Sequence, residues 1–172
     1  MKVNAQAAIV QENKFATKGK SKVIEGSILT PHNAGLRFIL SVNNLDGKIE
    51  SNPILPILDK KWKKVREETK GWFANKTGEY KLGAITTTPV QSDTWVINML
   101  CQKSKADDFE MDEAGLRGCL KKVQASAKYE SATVHVSTTL TDSFEGLAEL
   151  ITEELVNKGT TVYFYNEPKV SR

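Results

Sequence analysis

The feature of this sequence that most constrains its fold is an almost wholly apolar segment at residues 36–42, LRFILSV. A strand with one wet face alternates polar and apolar side chains, whereas this segment carries apolar side chains toward both faces. It therefore predicts a strand inside a parallel or mixed sheet that helices cover on both sides. A second segment of this kind, residues 94–102 (TWVINMLCQ), predicts another interior strand.

Stretches with apolar residues at helical spacing lie between the strand segments and predict three amphipathic helices. Pro53 suits the first turn of the first helix, which is expected to decay into a loop at Gly71 and Asn75. Gly159 is a natural C-terminal cap for the last helix. The predicted order is β-β-α-β-β-α-β-α-β, with an α/β fold class and a three-layer α/β/α architecture around a mixed sheet. The helices are expected near residues 53–75, 112–127 and 144–155, and the other strands near 23–29, 80–86, 132–140 and 160–165.

The length of 172 residues fits a single domain over residues 1–172 with a frayed tail from Glu167. Apolar residues make up 40% and charged residues 26%, which indicates a folded chain rather than a disordered one. No apolar run reaches the roughly 20 residues of a membrane span. The N-terminal stretch lacks the apolar core of a signal peptide, so we expect a cytoplasmic protein.

The charge balance of 24 basic and 21 acidic residues leaves only +3, too little to indicate a dedicated nucleic-acid binder. The densest basic stretch, residues 60–64 (KKWKK), is typical of the solvated face of a helix. Two cysteines and two histidines show no metal-ligand spacing, so free thiols, no metal and no cofactor are expected. His135 lies in the middle of a predicted strand and is expected to be a buried structural residue.

Several segments resemble, in the same order along the chain, segments of macro domains, the fold best known for binding ADP-ribose. The resemblance implies the three-layer fold and a ligand cleft at the carboxyl ends of the strands. The segments are KVIEGSILT with AGLRFILSVNN (22–30 and 34–44), LGAITTTPVQSDTWVINMLCQ (82–102), LRGCLKKVQASAKYESATVHVS (116–137) and LAELITEELVNKGTTVYFYN (147–166).

The resemblance implies ADP-ribose or a related nucleotide as ligand. Where macro domains carry a glycine, an aspartate that binds the adenine amino group and an aliphatic residue, this chain has Gly26, Ser27 and Ile28. Ser27 supplies no carboxylate, but Ser27 and Ile28 remain the candidates for the base. Asn43 and Asn44 correspond to the ribose end. Asn44 has a second interpretation, because an asparagine after a strand often satisfies local backbone groups.

The two phosphate-binding loops of macro domains are rich in glycine, because glycine lets backbone N–H groups close around a diphosphate. In this chain residues 45–56 contain only Gly47, and residues 137–146 contain no glycine before Gly146. Both loops are therefore expected to be remodelled. The remaining candidates for ligand contacts in the second loop are hydroxyls, those of Thr138, Thr139, Thr141 and Ser143.

One branch of macro-domain hydrolases uses a lysine after the strand that corresponds to residues 94–102 and an aspartate in the second phosphate loop. The resemblance implies that Lys103 would attack the anomeric carbon of the ribose with assistance from Asp142. The lysine would have to be deprotonated to attack. Each residue has a structural alternative: Lys103 as a solvated loop lysine, and Asp142 as a helix cap with Glu145 three residues later.

Three function classes remain open at this point: a module that binds ADP-ribose or a related nucleotide, an ADP-ribosyl hydrolase, and a protein-interaction module that has lost the ligand. The first two imply ADP-ribosylated protein or nucleic acid as partners, and no membrane. A small divergent macro-like protein also suggests a viral or mobile-element setting. There it would counter ADP-ribosylation or nucleotide signalling in the host cytoplasm.

Overall fold

The computed structural model describes residues 19–76 and 80–168. These residues form one seven-stranded sheet and five α-helices. The N-terminal stretch considered for a signal peptide and residues 169–172 of the expected tail lie outside the described residues. The strands are β1 Ser21–Glu25, β2 Arg37–Asn44, β3 Ile85–Gln91, β4 Thr94–Lys105, β5 Asp108–Met111, β6 Thr133–Ser137 and β7 Val162–Asn166. The helices are α1 Leu55–Leu58, α2 Lys64–Asn75, α3 Glu113–Glu130, α4 Thr138–Ser143 and α5 Leu147–Glu154.

The strand order is β1-β7-β6-β2-β4-β3, with β5 also paired to β4. The five strands from β1 to β4 in this order are parallel, whereas β3 and β5 run antiparallel to β4. Helices α3 and α5 pack against each other, and α1 packs against α2. The predicted α/β/α fold with a mixed sheet is confirmed. Because the parallel strands share a direction, their carboxyl ends meet along one edge of the sheet.

The two strands that the sequence predicted as interior, β2 and β4, do lie inside the sheet. Every residue of β2 after Arg37 is buried, and β4 is buried from Val96 to Gln102. Trp72 of α2 packs against Leu100 of β4 as part of the core. The apolar pattern on both faces therefore identified the centre of the sheet correctly.

The predicted first helix is wrong as a single element, because the structure has two helices separated by residues 59–63. Gly71 lies inside α2, which ends at Asn75 and is capped by Lys76 in the left-handed region (φ 46°). The break directs Trp62 into the core with 7% exposure. Arg66 of α2 stabilises this break, because its Nε donates to the Asp59 carboxylate at 2.8 Å. The basic residues on either side of Trp62 are exposed, as predicted.

Two strand predictions also need correction. Strand β3 begins at Ile85 rather than at residue 80, because Gly83 (φ 98°) turns the chain just before it. The hairpin of β4 and β5 was not predicted, since its residues are mostly charged. Cross-strand ion pairs stabilise it: Lys103 and Lys105 each approach Glu110, at 3.9 and 3.5 Å.

The segment after β6 also differs from the prediction of a strand followed by a loop. The strand ends at Ser137, and the chain enters α4 because the Ser137 hydroxyl caps the helix by accepting from the Thr139 N–H at 3.1 Å. Asp142 lies inside α4, and the residue that precedes α5 is Gly146 (φ 84°). The interpretation of Asp142 as a cap of the following helix is therefore wrong.

A buried carboxylate, Glu154, joins α3 to α5. It is 5% exposed and accepts hydrogen bonds from Arg117 at 2.9 Å and Lys121 at 3.1 Å. Burial alone raises the pKa of Glu154, but the hydrogen bonds from these two cations lower it more, and the net pKa is lowered. The charge is therefore retained in the fold because it is paired.

None of the helices within the described residues is both long and apolar enough to cross a membrane. The same residues contain no cluster of three or more histidine, cysteine or acidic side chains placed to hold a metal ion. Cys101 and Cys119 are buried thiols.

Candidate functional site

The main cleft lies where β1, β6 and β7 end, at the carboxyl edge of the sheet, and has a volume of about 840 Å³. That volume falls within the range of small-molecule sites and is large enough for a nucleotide. Helix α4, the end of β7 and the chain around α1 form its walls. Its polar lining comprises Glu25, Lys60, Thr138, Thr139, Asp142, Asn166 and Glu167.

A carboxylate stands beside the segment that the sequence assigned to the base. The Ile28 backbone N–H donates to Oε2 of Glu167 at 2.9 Å, and Ile28 itself is fully buried. The Ser27 hydroxyl accepts from the Leu29 N–H at 3.0 Å. Lys61 fixes the same loop by donating from Nζ to the Leu29 carbonyl at 2.8 Å. Glu167, where a frayed tail was expected to begin, thus contacts the loop after β1.

The side chains of Glu25 and Asn166 join the end of β1 to the end of β7. The Asn166 Nδ2 donates to the Glu25 carboxylate at 2.7 Å. Both residues line the cleft, so this wall is pre-formed by contacts within the protein.

The second predicted phosphate loop is helix α4. Of its candidate residues, Thr138, Thr139 and Asp142 line the cleft. The Thr138 hydroxyl donates to the Tyr165 carbonyl at 3.1 Å. Two further hydroxyls donate to carbonyls of the helix itself, from Thr141 to Thr138 at 3.3 Å and from Ser143 to Thr139 at 2.6 Å.

Asn44 is 2% exposed and is engaged by its own loop. Its Oδ1 accepts from the backbone N–H groups of Asp46 and Lys48, at 3.1 and 2.9 Å. Its Nδ2 donates to the Lys48 carbonyl and the Ser51 hydroxyl, each at 2.8 Å. This arrangement is the local-backbone alternative that the sequence left open.

Asn43 lies at a separate small cavity between the end of β2, the following loop and α2. The cavity measures about 10 Å³, which admits about one water molecule and no sugar. Three buried atoms on its lining residues lack a hydrogen-bond partner among the described residues, namely Nδ2 of Asn43, Oγ1 of Thr69 and Nε1 of Trp72. The ring of Phe73 lies against Gly47 of the covering loop, where a Cβ atom would come within 2.4 Å of the ring. The structure thus keeps Asn43 and Asn44 out of the main cleft.

Lys103 lies near the end of β4 and does not line the main cleft. Its Nζ is 3.1 Å from Oδ1 of Asp112, the residue that caps α3. The hydrogen bond that Gly115 donates, followed by the one from Lys103, lowers the pKa of Asp112. Strand β2 lies between β4 and β6, so Lys103 on β4 and the end of β6 that precedes α4 are separated by two strand spacings, about 10 Å across the sheet, and also by several residues along the strands.

A buried histidine in β6, His135, is linked through Tyr165 of β7 to the loop after β1. His135 is fully buried, with its two ring nitrogens 2.8 Å from the Tyr165 hydroxyl and 2.7 Å from the Thr133 hydroxyl. Burial lowers the pKa of His135 to about 3. The Tyr165 hydroxyl also accepts from the His32 N–H at 2.7 Å, which joins the loop to the sheet. The sequence prediction of a buried structural histidine is confirmed.

Sequence reasoning missed four polar residues of the cleft, namely Glu25, Lys60, Asn166 and Glu167. They lie at or just after the ends of β1, α1 and β7, which are far apart in the chain. Only the pairing of β1 with β7, the first and last strands, brings three of them together. The one available signal was that both strands end in acidic or amide residues.

No protein-family model matches this chain, and no curated protein matches it either. Solved structures do. A protein from Bacteroides thetaiotaomicron has 25% identity and a TM-score of 0.75, over 85% of this chain and 99% of the other. A macrodomain protein from Streptomyces coelicolor has 19% identity and a TM-score of 0.72, over 87% of this chain and 100% of the other. The macrodomain of Thermus aquaticus DarG has 12% identity and a TM-score of 0.60, over 86% of this chain and 99% of the other.

The sheet order, the position of the cleft and these similarities define an α/β/α protein of macrodomain type. The chain has the macrodomain fold and is a divergent example of it.

Proposed function

We propose that this protein binds ADP-ribose or a related nucleotide in the cleft at the ends of β1, β6 and β7. The observation that carries the proposal is the Glu167 carboxylate on the Ile28 N–H, at 2.9 Å, in a cleft of about 840 Å³. Ser27 replaces the aspartate expected to recognise an adenine amino group. Glu167, which follows the neighbouring strand β7, supplies a carboxylate to the same loop.

The hydrogen-bonding capacity of this corner suits the edge of a base. A carboxylate has two oxygens and about four acceptor positions, so Glu167 can accept from the Ile28 N–H and from a ligand amino group together. Asn166 and Glu25 hold each other in place at the same wall, which reduces the side-chain ordering that binding would require.

Hydrolysis receives less support than binding. The predicted chemistry requires Lys103 and Asp142 to act on one ribose. Asp142 lines the cleft, whereas Lys103 forms ion pairs with Glu110 on the paired strand β5 and with Asp112 at the start of α3. A nucleophilic role would require Lys103 to leave both carboxylates and cross the end of β2.

Calorimetric titration with ADP-ribose, AMP and adenosine tests the proposal, with guanosine as a control for base recognition. We expect saturable binding of at least one adenine ligand and weaker binding of guanosine. Absence of binding by all three adenine ligands would refute the proposal. Incubation with ADP-ribosylated protein and ADP-ribosylated DNA tests hydrolysis. Hydrolysis would be supported if the protein releases ADP-ribose and the Lys103→Ala variant does not.

A further inference from the structure

We infer that the cleft selects a phosphate-poor ligand, a nucleoside or nucleoside monophosphate, over a nucleoside diphosphate such as ADP-ribose. The inference rests on the proposed function and concerns which ligand class the same cleft prefers. It follows from the charges and the hydrogen-bond donors at the cleft wall.

The charge of the lining is unfavourable for a diphosphate. Within the described part of the chain, three carboxylates of the lining, Glu25, Asp142 and Glu167, face a single cation, Lys60. Glu25 and Glu167 accept one hydrogen bond each from the protein, whereas Asp142 has no partner among the described residues. Lys61, the next cation in the chain, directs its Nζ to the Leu29 carbonyl. Like charges in a partly enclosed site repel more strongly than they do in water.

Most of the hydroxyl donors that could offset this repulsion are already in use; among the described residues of α4 the Thr139 hydroxyl is the exception. In α4 the Thr138, Thr141 and Ser143 hydroxyls donate to protein carbonyls, at 3.1, 3.3 and 2.6 Å. The Thr139 N–H donates to the Ser137 hydroxyl. Phosphate sites need several donors directed at the oxygens, and the α4 wall offers one free hydroxyl, that of Thr139.

Lys60 remains as the one cation of the lining, and no carboxylate among residues 19–76 and 80–168 pairs with it in competition with a ligand. At neutral pH AMP and ADP-ribose carry similar total negative charge, but AMP carries all of it on one phosphate, which can lie beside this ammonium group. A monophosphate at the Lys60 side of the cleft would therefore be favoured, and the second phosphate of a diphosphate would lie among carboxylates.

The test is a set of calorimetric titrations of the whole protein with adenosine, AMP and ADP-ribose at low and high salt. At low salt we expect the Kd of AMP to be lower than that of ADP-ribose by a factor of about ten or more. At high salt this difference should shrink, because the charges are screened. ADP-ribose binding as tightly as AMP, or more tightly, would overturn the inference while leaving the proposed function intact. Failure of all three ligands to bind would overturn both.

Two variants locate the effect. Asp142→Asn should raise the ratio of ADP-ribose affinity to adenosine affinity several-fold, and Lys60→Gln should remove the advantage of AMP over adenosine. Glu145→Gln is the matched control, because it removes one exposed negative charge just outside the cleft and should leave both ratios unchanged. Equal ratios in Asp142→Asn and the unmodified protein would contradict the inference, and circular dichroism would verify that each variant is folded.

Discussion

The carboxylate of Glu167 accepts a hydrogen bond from the backbone N–H of Ile28 at 2.9 Å, across 139 positions of sequence. This contact places the negative charge of Glu167 beside a loop whose own residue Ser27 is uncharged. A carboxylate therefore stands at this loop, although the residue that supplies it is far away in the sequence.

Glu167→Gln should weaken adenosine binding by about 1–2 kcal/mol, roughly tenfold, because glutamine has one acceptor oxygen in place of two. The Ile28 N–H and a ligand amino group would then compete for that oxygen. Titration calorimetry with adenosine measures the change, and Glu149→Gln, on the exposed face of α5, is the control. An unchanged affinity in Glu167→Gln would exclude the carboxylate from base recognition.

Gly47→Ala should destabilise the fold by about 2 kcal/mol or more through two separate effects. The new Cβ would lie 2.4 Å from the Phe73 ring, and the backbone at φ 68° disfavours alanine. Gly35→Ala isolates the second effect, because Gly35 has a φ of 87° but a Cβ added there would meet no atom within 4 Å. Urea denaturation should show a smaller loss for Gly35→Ala, and equal losses would mean that the Phe73 ring moves aside freely.

Glu154→Gln should cost about 2–4 kcal/mol of unfolding free energy, since it leaves Arg117 and Lys121 without their buried partner. Glu153→Gln provides the comparison, because the Glu153 side chain bonds the same arginine at 2.9 Å but is 55% exposed. Exposed ion pairs contribute little, so this second variant should lose less than about 1 kcal/mol. Similar losses in the two variants, measured by chemical denaturation, would show that burial of Glu154 has no special weight.

Acid should destabilise the protein through His135. Its pKa is lowered to about 3 in the fold, whereas an unfolded histidine titrates near its ordinary value of 6.5. As the pH falls below about 6, the unfolded state binds a proton that the folded state refuses, so stability is lost at up to about 1.4 kcal/mol per pH unit until the folded pKa is reached. Above that window both states are neutral and His135 contributes no pH dependence.

The measurement is urea denaturation at pH 7, 5.5 and 4.5 for the unmodified protein and for His135→Gln. Carboxylates add their own pH dependence to both proteins, so the informative quantity is the difference between the two slopes. The variant should start less stable at neutral pH and lose less on acidification. Parallel slopes would mean that the ring becomes charged within the fold.

The sheet was predictable from sequence and the cleft was largely not, for a physical reason. Residues 36–42 and 94–102 are apolar on both faces of their strands, so their own composition predicts that they form the centre of the sheet. The cleft depends on which strands become neighbours, and β1 beside β7 leaves no local trace. Helix α4 was missed for a similar reason, because the Ser137 cap and the Tyr165 carbonyl that stabilise it lie outside the periodic apolar pattern.

The place of β1 in the sheet also determines the order in which a newly made chain can fold. Among the described strands, β1 pairs with β7 alone, and β7 is the last of these seven in the sequence. On the ribosome the first strand must therefore wait for residues 162–166 to emerge before it has a partner, and the Glu167 contact can form only after that. Shortened chains that stop before β7 would retain β2, β4 and β6 as a nucleus but would lack the main cleft.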